Sequence, residues 1–237
     1  MTSLPSLLIA AAVAEELTII NERISGAKHI HRGPIELRSG SIRGLDVATL
    51  VTGPGTVSTA GALAGVFAVQ PPKAVVVTGC GGAFEGSGLT AGDIAAATGE
   101  IHGQLGVEDE KVPGRIHSLS FLPNRIMLDG TFTQKGYDAL QNSALQKHFK
   151  LMKGLFLTVA TVTSRAETAA AYGRRYGVIM ENMEGFAAAA LCKQYDIPMM
   201  ELRAVSNMVG QTDRSTWKLD LAFERAQEAI LTILEAM

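Results

Sequence analysis

Two cysteines, Cys80 and Cys192, are all that the 237 residues contain. They are too few for a disulfide framework, and neither has a Cys or His neighbour at metal-ligand spacing. Aromatic residues make up only 5% of the chain and no basic run is interleaved with them, which excludes the footprint of a nucleic-acid binder. No stretch reaches the ~20 apolar residues that a membrane helix needs. The apolar start from Leu7 to Val13 lacks a basic segment before it and runs into Glu15 and Glu16, so it reads as a buried strand rather than a secretory signal. With a formal net charge of only −2, the expectation is a cytoplasmic protein with neither nucleic acid nor membrane as partner.

What is present is a core. Hydrophobic residues make up 47% of the chain and charged residues 19%, enough to bury one large α/β domain over residues 1–237. Short apolar runs alternate with helical patterns. Strands are predicted at Leu7 to Val13, at His29 to Ser39, and at Asp46 to Thr52, where Gly53-Pro54-Gly55 ends the run. A small-residue helix follows from Thr56 to about Val69, stopped by Pro71-Pro72. Val75 to Thr78 reads as a buried strand, Gly79-Cys80-Gly81-Gly82 as a turn, and Ala91-Gly92-Asp93-Ile94 as the lead into another strand. Residues 102–124 mix charge, Gly and Pro and are taken as loops with one short strand, a flap over a site or an oligomer contact. Further on, Gln134 to Phe149 is predicted as a solvent-facing helix, Phe156 to Thr161 as a strand, Glu167 to Tyr176 as a helix, and Leu219 to Met237 as an amphipathic helix with Leu219, Phe223, Ala226, Ile230 and Leu234 inward. The fold class implied is α/β, a three-layer α/β/α sandwich around a mixed central sheet.

The stretch from Glu181 to Trp217 carries the most chemistry. Glu184, in Glu-Asn-Met-Glu-Gly at 181–185, stands where a strand gives way to a helix, and Asn207, in Arg-Ala-Val-Ser-Asn at 203–207, stands just past the next strand. In open α/β sheets ligands bind at such carboxyl ends. Each residue also has a plain structural reading: Glu16 and Glu184 suit a helix first turn, where the dipole favours a carboxylate by ~0.3–1 kcal/mol, and Asn207 suits a turn cap. His29 and His31 alternate on a strand without a third ligand, and Glu108, Asp109 and Glu110 read as a solvated loop, so no metal is expected. The glycine turns match no phosphate or dinucleotide fingerprint, so no cofactor is implied.

These blocks together resemble the purine nucleoside phosphorylase and nucleosidase superfamily. The resemblance rests on the early strand ending Ala-Glu-Glu-Leu, Thr-Gly-Cys-Gly-Gly-Ala leading to Ala-Gly-Asp-Ile, Asn-Met-Glu-Gly, and Arg-Ala-Val-Ser-Asn. Within it, Gly-Ser-Gly at 86–88 and Asp-Arg-Ser-Thr-Trp-Lys at 213–218 are most similar to the futalosine hydrolases, which implies release of hypoxanthine from futalosine in a route to menaquinone. The alternatives are a phosphorylase, an adenine-nucleoside hydrolase of the methylthioadenosine type, and a non-catalytic nucleoside binder. The resemblance implies Glu16 as the base that activates water, Glu184 on the ribose 2′ and 3′ hydroxyls, and Met183 against the sugar. It also implies Cys80, Gly81, Gly82, Thr163 and Asn182 as substrate contacts, and a homo-oligomer. Phosphorylases of the superfamily carry an Arg-bearing phosphate loop where this chain has Ala14-Glu15-Glu16, a site that repels phosphate. Asn207 replaces an aspartate of the adenine-specific enzymes, and its amide suits a 6-oxopurine. Arg214 and Lys218 are candidate partners for a substrate carboxylate, or simply exposed loop charges.

Overall fold

The computed structural model describes residues 6–32, 35–112, 115–143, 148–211 and 213–237. In chain order the elements are β1 (Leu7–Ala11), α1 (Thr18–Glu22), β2 (Ser25–Arg32), β3 (Ile35–Ile42), β4 (Leu45–Val51), α2 (Thr56–Val69), β5 (Ala74–Ala83), β6 (Ile94–His102), β7 (Val107–Glu108), β8 (Ile116–His117), β9 (Arg125–Met127), α3 (Gly130–Gln141), β10 (Leu151–Thr158), α4 (Ala166–Tyr176), β11 (Val178–Asn182), α5 (Gly185–Gln194), β12 (Met199–Met208) and α6 (Leu219–Glu235). Short 3-10 turns at Ala14–Leu17 and Arg214–Thr216 complete the site end.

A ten-stranded mixed sheet runs β11-β10-β6-β12-β5-β1-β4-β3-β2, with β9 beside β6. It is built from strands buried on both faces, as the continuous apolar runs require. In β1, Leu7, Ile9 and Ala11 point to one side and join a core with α6 residues such as Ala226 and Ile230. Leu8 and Ala10 point to the other and pack with Leu63 and Phe67 of α2 and Ala188 of α5. Each such Leu or Ile contributes about 1.5–3 kcal/mol through burial. The three-layer α/β/α architecture expected from the sequence follows from this alternation. The sheet also curls on itself: β11 pairs parallel with β10 and antiparallel with β5, through Met180↔Ala83 and Glu181↔Gly82.

Several local expectations are corrected. The single strand predicted at His29 to Ser39 divides into β2 and β3, which pair antiparallel with Arg32 opposite Ile35. Gly79–Gly82 is not a turn but the second half of β5, because β12 pairs along its whole length, Arg203 opposite Gly79 and Asn207 opposite Gly82. Asn207 accordingly lies inside the end of β12, not beyond it. The helix placed at Gln134 to Phe149 is α3, starting earlier because Asp129 caps it, accepting from the Phe132 N–H at 2.9 Å. It ends at Gln141, and Thr133, Gly136 and Leu140 are buried, so it is not wholly solvent-facing; residues 144–147 of that prediction lie outside the described residues. The strand predicted at Phe156 to Thr161 is β10, set earlier. Residues 102–124 hold the small β7-β8 pair. In α6 the inward face is Ala222, Ala226, Ala229, Ile230, Ile233 and Leu234, while Leu219 is exposed.

Candidate active site

The carboxyl ends of β1, β5 and β12, the start of α5 and the start of α6 surround a cavity of about 230 Å³. Its walls include Glu16, Glu184 and Asn207 together with Cys80, Gly81, Gly82, Asn182 and Met183. Larger clefts exist, among them one of about 760 Å³ lined by His29, Glu36 and Arg38, but only the smaller cavity gathers several buried carboxylates around one point. Among the described residues no three His, Cys, Asp or Glu side chains form a metal-binding group.

Glu16 stands in the first turn of its own 3-10 segment, and its carboxylate also bonds beyond it. It reaches across to β5, where its Oε1 accepts the Cys80 N–H at 2.9 Å. Its Oε2 accepts the Ala12 N–H at 3.0 Å and the Val13 N–H at 3.3 Å. Burial nevertheless raises its pKa above the ordinary 4.5; the positive Arg203 and these amides oppose the shift, and Glu184 adds to it. A raised carboxylate pKa is what a general base working near neutrality needs.

Glu184 precedes α5 but does not cap it. Asn182 does, its Oδ1 accepting the Glu184 N–H at 2.9 Å and the Gly185 N–H at 2.7 Å. The Glu184 carboxylate turns into the cavity instead, accepting the Gly55 N–H at 2.9 Å and lying 3.1 Å from Nη2 of Arg203. Arg203 is 2% exposed and extends the clamp, its Nε donating to Glu201 at 2.7 Å and its Nη1 to the Cys80 carbonyl at 2.9 Å. Burial alone would lower the guanidinium pKa, but Glu201 and Glu184 hold it above its usual value. Behind them Glu100 is fully buried and is pushed well above the carboxylate range by burial and by the neighbouring Glu201. Glu100 also accepts from the Thr158 hydroxyl at 2.6 Å and from the Asn182 amide at 2.7 Å. One cation thus faces several acids, so the cavity favours positive charge.

Asn207 has a fixed polarity. Its Oδ1 accepts the Ser206 hydroxyl at 2.8 Å and its Nδ2 donates to the Met208 carbonyl at 3.2 Å, leaving one amide proton over. Cys80 offers the site its backbone; burial pushes its thiol up to about 12, with Glu16 adding to the shift.

Three predicted contacts are placed differently. The Asn182 side chain is consumed by the helix cap and Glu100. Thr163 stands behind the wall formed by Val162, and its N–H donates to Glu181 at 2.9 Å. Arg214 is exposed and outside the cavity, 6.0 Å from the Trp217 ring that does line it. Sequence reasoning gave no role to Arg203, Glu181, Ser206, Trp217 or Phe223 in this wall. A Glu and an Arg two apart in an otherwise apolar strand, on one face by the period of two, was the available signal for the clamp.

The family model described as the phosphorylase superfamily matches residues 6–237. The chain belongs to the phosphorylase superfamily. Among superfamily relatives it is 30% identical over 193 residues to a futalosine hydrolase of Thermus thermophilus, covering 81% of this chain and 83% of that one. It is also 26% identical over 237 residues to a 5′-methylthioadenosine/S-adenosylhomocysteine nucleosidase of a Geobacillus strain, covering 97% of both. The superfamily fold is matched by the Neisseria meningitidis nucleosidase of that name, solved with methylthio-immucillin-A, at a TM-score of 0.85 and 22% identity over 99% of this chain and all of that one.

Proposed function

We propose that this chain is a nucleoside hydrolase that cleaves the N-ribosidic bond of a hypoxanthine nucleoside, with futalosine as substrate and the route to menaquinone as context. The observation that carries the reading is the convergence of Glu16, Glu184 and Asn207 on one cavity, each oriented by its own set of hydrogen bonds. As the bond between ribose and purine breaks, its electron pair leaves with the base and the sugar becomes cationic. Glu16 takes a proton from water, whose oxygen bonds to the anomeric carbon. Glu184 accepts the ribose hydroxyls, while Asn207 hydrogen-bonds the departing 6-oxopurine through its remaining N–H; the base takes up a proton from solvent, which balances the one that Glu16 removes from water. Hypoxanthine and free sugar result.

Further support comes from the far wall. Trp217 and Phe223 make it aromatic, and an aromatic wall suits the substrate's 5′ arm. Residues 1–237 are read as one domain acting in a cytoplasmic homo-oligomer. Exposed apolar side chains fit contact with a second copy, Val57 being 86% exposed and Phe121 81% exposed.

The test is incubation of the purified protein with futalosine, inosine, adenosine and methylthioadenosine, with and without phosphate, while free base and sugar are quantified. Release of hypoxanthine at a phosphate-independent rate is expected. Strict dependence on phosphate, with sugar phosphate as product, overturns the hydrolase reading.

A further inference from the structure

Gln227 of α6 is 1% exposed, on the helix face that also buries Ala226 and Ile230. A buried amide destabilises the fold unless its donors and its acceptor are used, and here they are. Its Oε1 accepts the Ile19 N–H at 2.7 Å and the Ile20 N–H at 3.4 Å. Its Nε2 donates to the Glu15 carbonyl at 3.1 Å and to the Phe223 carbonyl at 2.9 Å. Two N–H groups and two carbonyls are thus met by one side chain, which takes both ends of an amide.

Three of those four groups bracket Glu16. The 3-10 turn Ala14–Leu17 and α1 are both too short to hold themselves. Leu17, at the joint between them, provides no side-chain cap, so the first N–H groups of α1 need a partner from elsewhere. Gln227, 208 residues beyond Ile19, is that partner. Glu16 then spans from the turn to the Cys80 N–H of β5 at 2.9 Å. Where its carboxylate stands depends on how the turn is set against the sheet, and the amide of Gln227 ties that turn to α6. Gln227 itself stands behind the cavity wall, while Phe223, whose carbonyl shares the amide, lines the cavity.

We propose that Gln227 is a positioning residue that acts through Glu16, holding the turn that carries the base in place against β5 and α6. The inference rests on the hydrolase reading above and deepens it. A general base works only within hydrogen-bond reach of the water it activates, and a displacement of about 1 Å costs about a hundredfold in rate. Sugar and purine are bound by other groups, so loosening the turn slows the chemical step and leaves substrate affinity in place. Methionine at this position keeps the unbranched shape of glutamine and fills the same space, but it leaves all four backbone groups unpaired and frees the turn.

The test measures kcat and KM for Gln227→Met, alone and combined with Glu16→Gln, on futalosine or inosine, whichever the wild type cleaves faster. Ile233→Val, a core change further along α6 that touches no hydrogen bond of the turn, is the comparison and is expected to keep wild-type kcat. Gln227→Met alone is expected to lower kcat by about ten- to hundredfold with KM little changed. Added to Glu16→Gln it should lower kcat by less than about twofold, because the group through which it acts is already gone. Thermal melting checks folding. If Gln227→Met does not fold, Gln227→Glu takes its place: its carboxyl keeps an acceptor for Ile19 and Ile20, and a smaller loss of kcat is expected, again absent beside Glu16→Gln. A loss as large in the Glu16→Gln background as in wild type, or an unchanged kcat, overturns the role of Gln227 and leaves the hydrolase reading standing. Wild-type kcat in Glu16→Gln itself overturns both.

Discussion

A Cβ atom on Gly79 would stand 2.5 Å from Oε1 of Glu16. Gly79 also adopts a φ of +142°, which side-chain-bearing residues rarely hold. The Glu16 carboxylate therefore occupies the space its neighbouring strand leaves empty. Gly79→Ala is expected to lower kcat by more than about tenfold with a smaller effect on KM, and to cost ~1–3 kcal/mol of stability. Steady-state kinetics beside a denaturant titration measures both; unchanged kcat would show that Glu16 has room to move.

Glu16→Gln removes the base and is expected to lower kcat by roughly 10²- to 10⁴-fold, with substrate binding largely kept. The pH profile gives an independent check. Glu16 must be ionised to act and its pKa is raised by burial, so wild-type activity rises with pH through a value above 4.5, and the variant loses that limb.

Arg203→Met strands Glu184 and Glu201 as buried charges without their cation. Breaking a buried pair in this way costs ~3–5 kcal/mol. A marked fall in melting temperature is expected, whereas an unchanged one would mean that water or neutralisation replaces the guanidinium.

Glu100 gives stability a pH dependence of known sign. Its folded pKa is raised, first by burial and then by Glu201, so its contribution is fully present below the ordinary carboxylate value and is lost as pH rises through the folded value. Glu100→Gln, a neutral donor of the same shape, is expected to flatten that decline. Parallel stability curves for variant and wild type above pH 4.5 would place the proton elsewhere.

Asn207→Asp replaces the last free amide proton with a lone pair. Inosine cleavage is expected to fall by about ten- to hundredfold relative to adenosine cleavage, read as the ratio of kcat/KM values.

The residues proposed to react could be picked out in the sequence because each stands where apolar periodicity breaks: Glu16 after β1, Glu184 between β11 and α5, Asn207 at the end of β12. Their supports were not. Arg203 and Glu201 lie inside a strand that reads as apolar, and Glu100 inside another; only the sheet order, with β12 between β5 and β6, makes them neighbours. The glycines of β5 misled for a related reason. A run of Gly signals a turn when local propensity decides, but here pairing with β12 holds the backbone extended and the missing side chains make space. The α3 boundaries moved because the Asp129 cap lies ahead of the periodic run.

The backbone of Cys80 serves both carboxylates: its N–H holds Glu16 and its carbonyl holds the arginine that holds Glu184. Its thiol also lies against Glu16 and Ser206. The two carboxylates are thus tied to each other through one residue, whose peptide groups survive any substitution while its side-chain contacts do not. Serine at position 80 keeps a polar group beside Glu16 and alanine removes it, so this position adjusts the surroundings of one carboxylate without cutting the link to the other.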